Sequence, residues 1–96
     1  MYATVRRYVG VPHELFGALE AHASDVESAM REAPGFVGFE LLRTRDGMLA
    51  VIVAEDEMSA LDVDRRGAAW MQAHLDGHPP QTWDVLSGDV LVHAGR

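Results

Sequence analysis

Cysteine is absent from the chain, so disulfides, thiolate metal sites and a thiol nucleophile are excluded. Lysine is missing too. All eight basic residues are arginine, which removes a Schiff-base lysine and the lysine of a Walker-type phosphate loop. No GxGxxG run marks a dinucleotide fold, and no strand-to-helix nucleophile elbow is present. No apolar run approaches the ~18 residues needed to span a bilayer. The opening MYATVRRYVG lacks the charged-then-apolar order of a signal peptide, and a cytoplasmic location is expected. Metal patterns are equally thin. His13-Glu14 opens a zincin-like pair, but Gly17 stands where the second histidine would fall. His74 and His78 are four apart, but Gly77 and Pro79 break a helix between and after them. No resident metal is expected.

What is present points to a single globular domain, residues 1–96. The hydrophobic content of 48% rules out a disordered chain, and a chain of this length buries roughly 60–65% of its unfolded surface. The net charge of −7 argues against a nucleic-acid partner, whose phosphates would be repelled.

The organising stretch is PGFVGFELLRTRDGMLAVIVAED, Pro34 to Asp56. Pro34-Gly35 ends the preceding element. Phe36 to Thr44 reads as a strand. Asp46-Gly47 marks a tight turn of the kind that needs positive φ, and Met48 to Glu55 reads as the returning strand. That second strand carries Leu49, Val51 and Val53 on one face and Met48, Ala50, Ile52 and Ala54 on the other. A strand apolar on both faces is buried on both faces.

Around this hairpin, Tyr2 to Val9 reads as a first strand and Trp83 to His93 as a last one, with a bulge or break at Ser87-Gly88. His13 to Ala33 reads as one helix, entered through Pro12, with Leu15, Phe16, Leu19, Ala23, Val26, Met30 and Ala33 on its apolar arc. Asp56 is the expected N-cap of a second helix reaching Asp76. The order strand, helix, strand, strand, helix, strand gives an α+β, ferredoxin-like split βαβ arrangement: an antiparallel sheet with two helices on one face. Strands one and three are central. The other sheet face then holds an apolar set with no cover of its own, and a two-fold homodimer through that face is the economical solution.

Chemistry concentrates on the inward arcs. Trp70 and His74 are helix neighbours four residues apart, and Gly67 leaves space one turn earlier. Such a group can hold a flat aromatic ligand; it can equally be core filler with a histidine near the helix end. His22 borders the first helix's arc, either as a rim histidine or as one that bonds a ligand and moves a proton. Asp64 faces the core and needs a cationic partner, Arg6 or Arg7. The pair is either structural or, with Asp64 and Arg7 as polar anchors, part of a ligand site.

The opening MYATVRRYVGVP, Pro34-Gly35-Phe36 before the second strand, Trp70 late in the second helix and the closing VLVHA resemble the dimeric α/β-barrel superfamily, in particular its antibiotic-biosynthesis-monooxygenase type of domain. The likeness covers the whole chain and is more specific for fold than for function. It implies a ligand cavity between helices and sheet and a barrel interior that is dimer packing. It also implies one of several activities. The first is oxidation of a small aromatic substrate without a cofactor, with His22 or His74 as base and Trp70 stacking the substrate. The second is a non-catalytic ligand-binding or stress-responsive dimer. The third is haem binding or degradation, with His74 or His78 as ligand; here the first strand departs from the haem-degrading pattern, carrying Val5 and Arg7 and no asparagine.

Overall fold

A computed structural model describes residues 1–74 and 81–95. His78 and the expected end of the second helix at Asp76 lie outside the described residues. The elements are β1 (Tyr2–Val9), α1 (His13–Ala21), α2 (Ala23–Arg31), β2 (Phe36–Arg43), β3 (Gly47–Ala54), α3 (Glu57–His74) and β4 (Gln81–Asp89). All strand pairs are antiparallel, in the order β2-β3-β1-β4. This is the ferredoxin-like α+β fold, with β1 and β3 central. No described helix is long and apolar enough to cross a membrane.

The two faces of β3 behave differently. Met48, Ala50, Ile52 and Ala54 are buried beneath the helices, whereas Gly47, Leu49, Val51 and Val53 are only half-buried. The register carries this parity across the sheet. Glu40, Val51, Val5 and Leu86 form one row on the open face, and Leu42, Leu49, Arg7 and Asp84 form the next. The helix layer covers β2, β3 and β1, and every residue of β4 is exposed.

The first helix is two helices. At His22 the backbone turns to φ −114°, ψ 25°, although His22 N–H still donates to Ala18 O and Val26 N–H to His22 O. Each segment serves its own part of the core. Leu15 of α1 packs with Tyr8, Met48 and Ala50, while Val26 and Met30 of α2 pack with Ile52, Ala54, Ala60 and Val63. A twisted sheet rotates its surface along the helix path, and the bend keeps both apolar segments in contact with it.

Two further expectations are corrected. Gly47 does not adopt positive φ; a Cβ there would collide with the carbonyl oxygen of Tyr8 on the paired strand, so close approach, and not turn geometry, calls for glycine. The last strand ends at Asp89, and its bulge lies at Trp83, between the Arg7–Asp84 and Tyr8–Thr82 pairs. Val90 to Ala94 continue without strand structure, with Leu91 and Val92 almost fully exposed.

Asp56 caps α3 as its chemistry requires: Ser59 N–H donates to Asp56 Oδ1 at 2.8 Å. That bond holds the Asp56 carboxyl below its ordinary range. A carboxyl depressed on folding adds stability that is complete above its unfolded value and is lost as pH falls through the folded one. Asp56→Ala should therefore lower the thermal midpoint at neutral pH and soften its decline below about pH 4. Asp56→Ser should recover most of the midpoint but not the acid dependence. Thermal melts across this range check both, and identical neutral midpoints for wild type and Asp56→Ala would contradict the capping role.

Candidate functional site

Three aromatic rings converge where the kinked helix meets the end of α3. Trp70 and His74, one turn apart, stack with centroids 4.1 Å apart and planes 13° from parallel. The bend at His22 brings a third ring to 6.3 Å from Trp70 and 5.5 Å from His74. His74 Nδ1 lies 2.9 Å from the Trp70 carbonyl oxygen, and His22 Nδ1 lies 3.5 Å from an oxygen of Asp25. His22, expected at the border of the first helix's arc, thus meets Trp70 and His74 of α3 through tertiary contact. They meet at the rim: Trp70 packs against both core clusters, whereas His22 and His74 are exposed.

Asp64 has its cationic partner. Arg6 Nη2 and Nε donate to its two oxygens at 2.6 and 3.2 Å, a bidentate pair that fixes orientation as well as charge. Both side chains are about three-quarters buried. Arg7, the other expected polar anchor, is on the opposite side of the sheet and pairs with Asp46, because successive strand residues alternate faces. It lies away from Asp64 and from the helix side altogether. Tyr8, which the sequence reading did not single out, is buried on the same face as Arg6. Burial pushes its phenol above the ordinary value, with nearby Arg6 working in the opposite sense. Its position two residues after Arg6 was the available signal.

The space between helices and sheet is nearly full. The cavity bounded by Tyr8, Asp64, Gly67 and Trp70 amounts to about 20 Å³, room for about one water molecule. Outside it, an open groove of about 520 Å³ runs between α1–α2 and the edge strand β2, rimmed by Glu20, Glu27, Arg31 and Glu40. Leu19, Val26, Met30, Phe39 and Leu41 border both spaces. Met30 is the adaptable member of this partition, since its unbranched thioether changes rotamer easily. A Cβ at Gly67 would come within 3.3 Å of the Met30 Cε.

No known family profile and no curated relative matches the chain. Among solved structures it is similar to the haem degrader MhuD from Mycobacterium tuberculosis with two haems bound in its active site, at 21% identity over 99% of this chain and 100% of that one, with a TM-score of 0.66. It is similar to HapK from Hahella chejuensis, at 18% identity over 100% and 98% of the two chains, TM-score 0.70. A third similar structure is a monooxygenase from the ActVA-Orf6 gene of Streptomyces coelicolor in complex with nanaomycin D, at 22% identity over 98% and 91%, TM-score 0.57. Identities at this level speak for architecture alone: the chain shares the ferredoxin-like fold of these structures.

Proposed function

We propose that the protein is a homodimer, joined through the open sheet face, that admits a small aromatic compound between helices and sheet and oxidises it without a bound cofactor. The observation that carries this reading is the meeting of His22, Trp70 and His74 beside the inner cavity. Trp70 lines the cavity and offers a flat apolar surface, and the two imidazoles, packed on the other side of that ring, offer proton acceptors once a ligand displaces it. The similar structures include a monooxygenase complexed with nanaomycin D, which agrees with an aromatic ligand.

A ligand enters by displacing the partition of Leu19, Met30 and Phe39, which joins the small cavity to the open groove. In the reaction, His22 or His74 removes a proton from an activated CH₂ group of an anthrone-type substrate. The resulting carbanion gives its electrons to dioxygen, forming a carbon-bound hydroperoxide, and loss of water leaves a carbonyl. One dioxygen is consumed, one of its atoms entering the product and the other leaving as water. The protein supplies the base and a water-poor surrounding. The closed cavity of about 20 Å³ holds neither an anthrone nor a porphyrin as it stands; the partition must open for either, and a porphyrin, the larger of the two, demands the greater opening.

Oxygen uptake with an anthrone or quinol substrate tests the activity. Uptake above buffer is expected, reduced by about 10²-fold or more in the variant lacking the base, His22→Ala or His74→Ala. No uptake above buffer contradicts catalysis. Ligand-induced thermal stabilisation without uptake would instead assign a non-catalytic binding role.

The partition makes a separate prediction. Met30→Ala should destabilise the fold by about 2–5 kcal/mol and at the same time tighten binding of a small aromatic, because the inner cavity is opened in advance. Urea unfolding and fluorescence titration read the two effects. Unchanged or weaker binding would place the ligand elsewhere.

A further inference from the structure

We propose that His22 and His74 together form a binding site for a borderline divalent transition-metal ion: Cu²⁺, Ni²⁺ or Zn²⁺. The site goes beyond the oxidation reading and stands without it. No pattern along the chain announces it, because the two histidines lie on elements far apart in sequence and only the fold joins them.

The geometry suits one ion between two imidazoles. Their ring centroids are 5.5 Å apart with planes inclined at 48°. Two imidazoles on a single tetrahedral ion, with metal–nitrogen bonds of about 2.1 Å, have centroids roughly 5 Å apart. Small side-chain rotations close the difference.

The hydrogen bonding also sets the tautomers. The Trp70 carbonyl accepts only, so the 2.9 Å contact assigns the proton to His74 Nδ1 and leaves the lone pair on Nε2. Asp25, beside His22 Nδ1, favours the same arrangement in the other ring. Histidines that bind metals use this device: one nitrogen donates to a carbonyl or carboxylate, and the other faces the ion.

The supports are firm. His22 is held by backbone bonds on both sides of the kink, to Ala18 and from Val26. His74 lies flat on Trp70. Both rings are accessible, so an ion arrives without opening the core, and the chain's net charge of −7 favours cations in general. Among the described residues no group of three histidine or carboxylate donors is assembled. The remaining coordination positions therefore go to water or a small exogenous donor. Imidazole donors suit copper, nickel and zinc, and copper binds tightest of the three. An ion here occupies the same lone pairs that would take a substrate proton, so a loaded site and a catalytic base exclude one another.

Tag-free protein carrying Trp83→Phe leaves Trp70 as the sole tryptophan and fluorescent reporter. Titration with Cu²⁺ in a non-coordinating buffer should give saturable quenching at one ion per chain. His22→Gln and His74→Gln should each weaken the affinity about tenfold or more. Calorimetry on the wild-type chain should give the same stoichiometry, Zn²⁺ should compete, and far-UV circular dichroism should show each variant folded. Absence of saturable binding overturns the site, as does an affinity indifferent to His22→Gln. Loss of binding in His78→Gln while His22→Gln retains it would assign the ion to the His74–His78 spacing and would equally overturn the proposal.

Discussion

The fold depends on one asymmetry of burial. The central strand β3 carries apolar side chains on both faces, but the helices cover only one. On the covered side, Met48, Ala50, Ile52 and Ala54 are sealed by Leu15, Met30 and Val63. Each full burial of such a side chain is worth about 1.5–3 kcal/mol, and this layer holds the domain together. On the open side, Val51, Val5 and Leu86 stand in register across three strands, with Val53 beside them on β3, on the face turned away from the described helices. β4 is exposed along its length, and Leu91 and Val92 after it are almost fully exposed as well. These apolar positions are what the proposed homodimer interface would cover.

The same covered layer positions the chemistry. Because the sheet twists, the first helical segment bends at His22, and the bend presents an imidazole to the last turn of α3. A straight helix would direct that residue elsewhere. The ring cluster is therefore a product of core packing, with Trp70 linking it to both halves of the core. Asp64 and Arg6 stand on the opposite flank of α3 as a paired and largely buried anchor. Between the two flanks the interior is closed to about 20 Å³, so the entry proposed for a ligand depends on movement of side chains in the partition beside the groove.

Much of the architecture was legible in the residues, because binary patterns report burial directly. The alternation of β3 survived intact, Asp56 caps the helix it precedes, and strands one and three are central. His22, Trp70 and His74 were legible as candidates because each sits on or beside an apolar arc. Features set by three-dimensional fit were not legible. The apolar arc of residues 13–33 is continuous in sequence, so nothing in it marks the bend. The choice between Arg6 and Arg7 for Asp64 turns on strand parity, and β1 is too mixed on both faces to declare which is inward. Gly47 invites a turn reading because Asp-Gly so often marks turns; its true constraint, the Tyr8 carbonyl, comes from a distant strand. The nearly full interior follows from side-chain packing, which no periodicity encodes.

The most direct measurement of the central claim is the mass of the purified chain by sedimentation equilibrium across a range of micromolar concentrations. Cover of the open face by a second copy predicts a species of twice the 10.5 kDa chain mass, reverting toward the single chain when Val51→Glu places a charge at the centre of that face. A wild-type particle of 10.5 kDa at every concentration would contradict it.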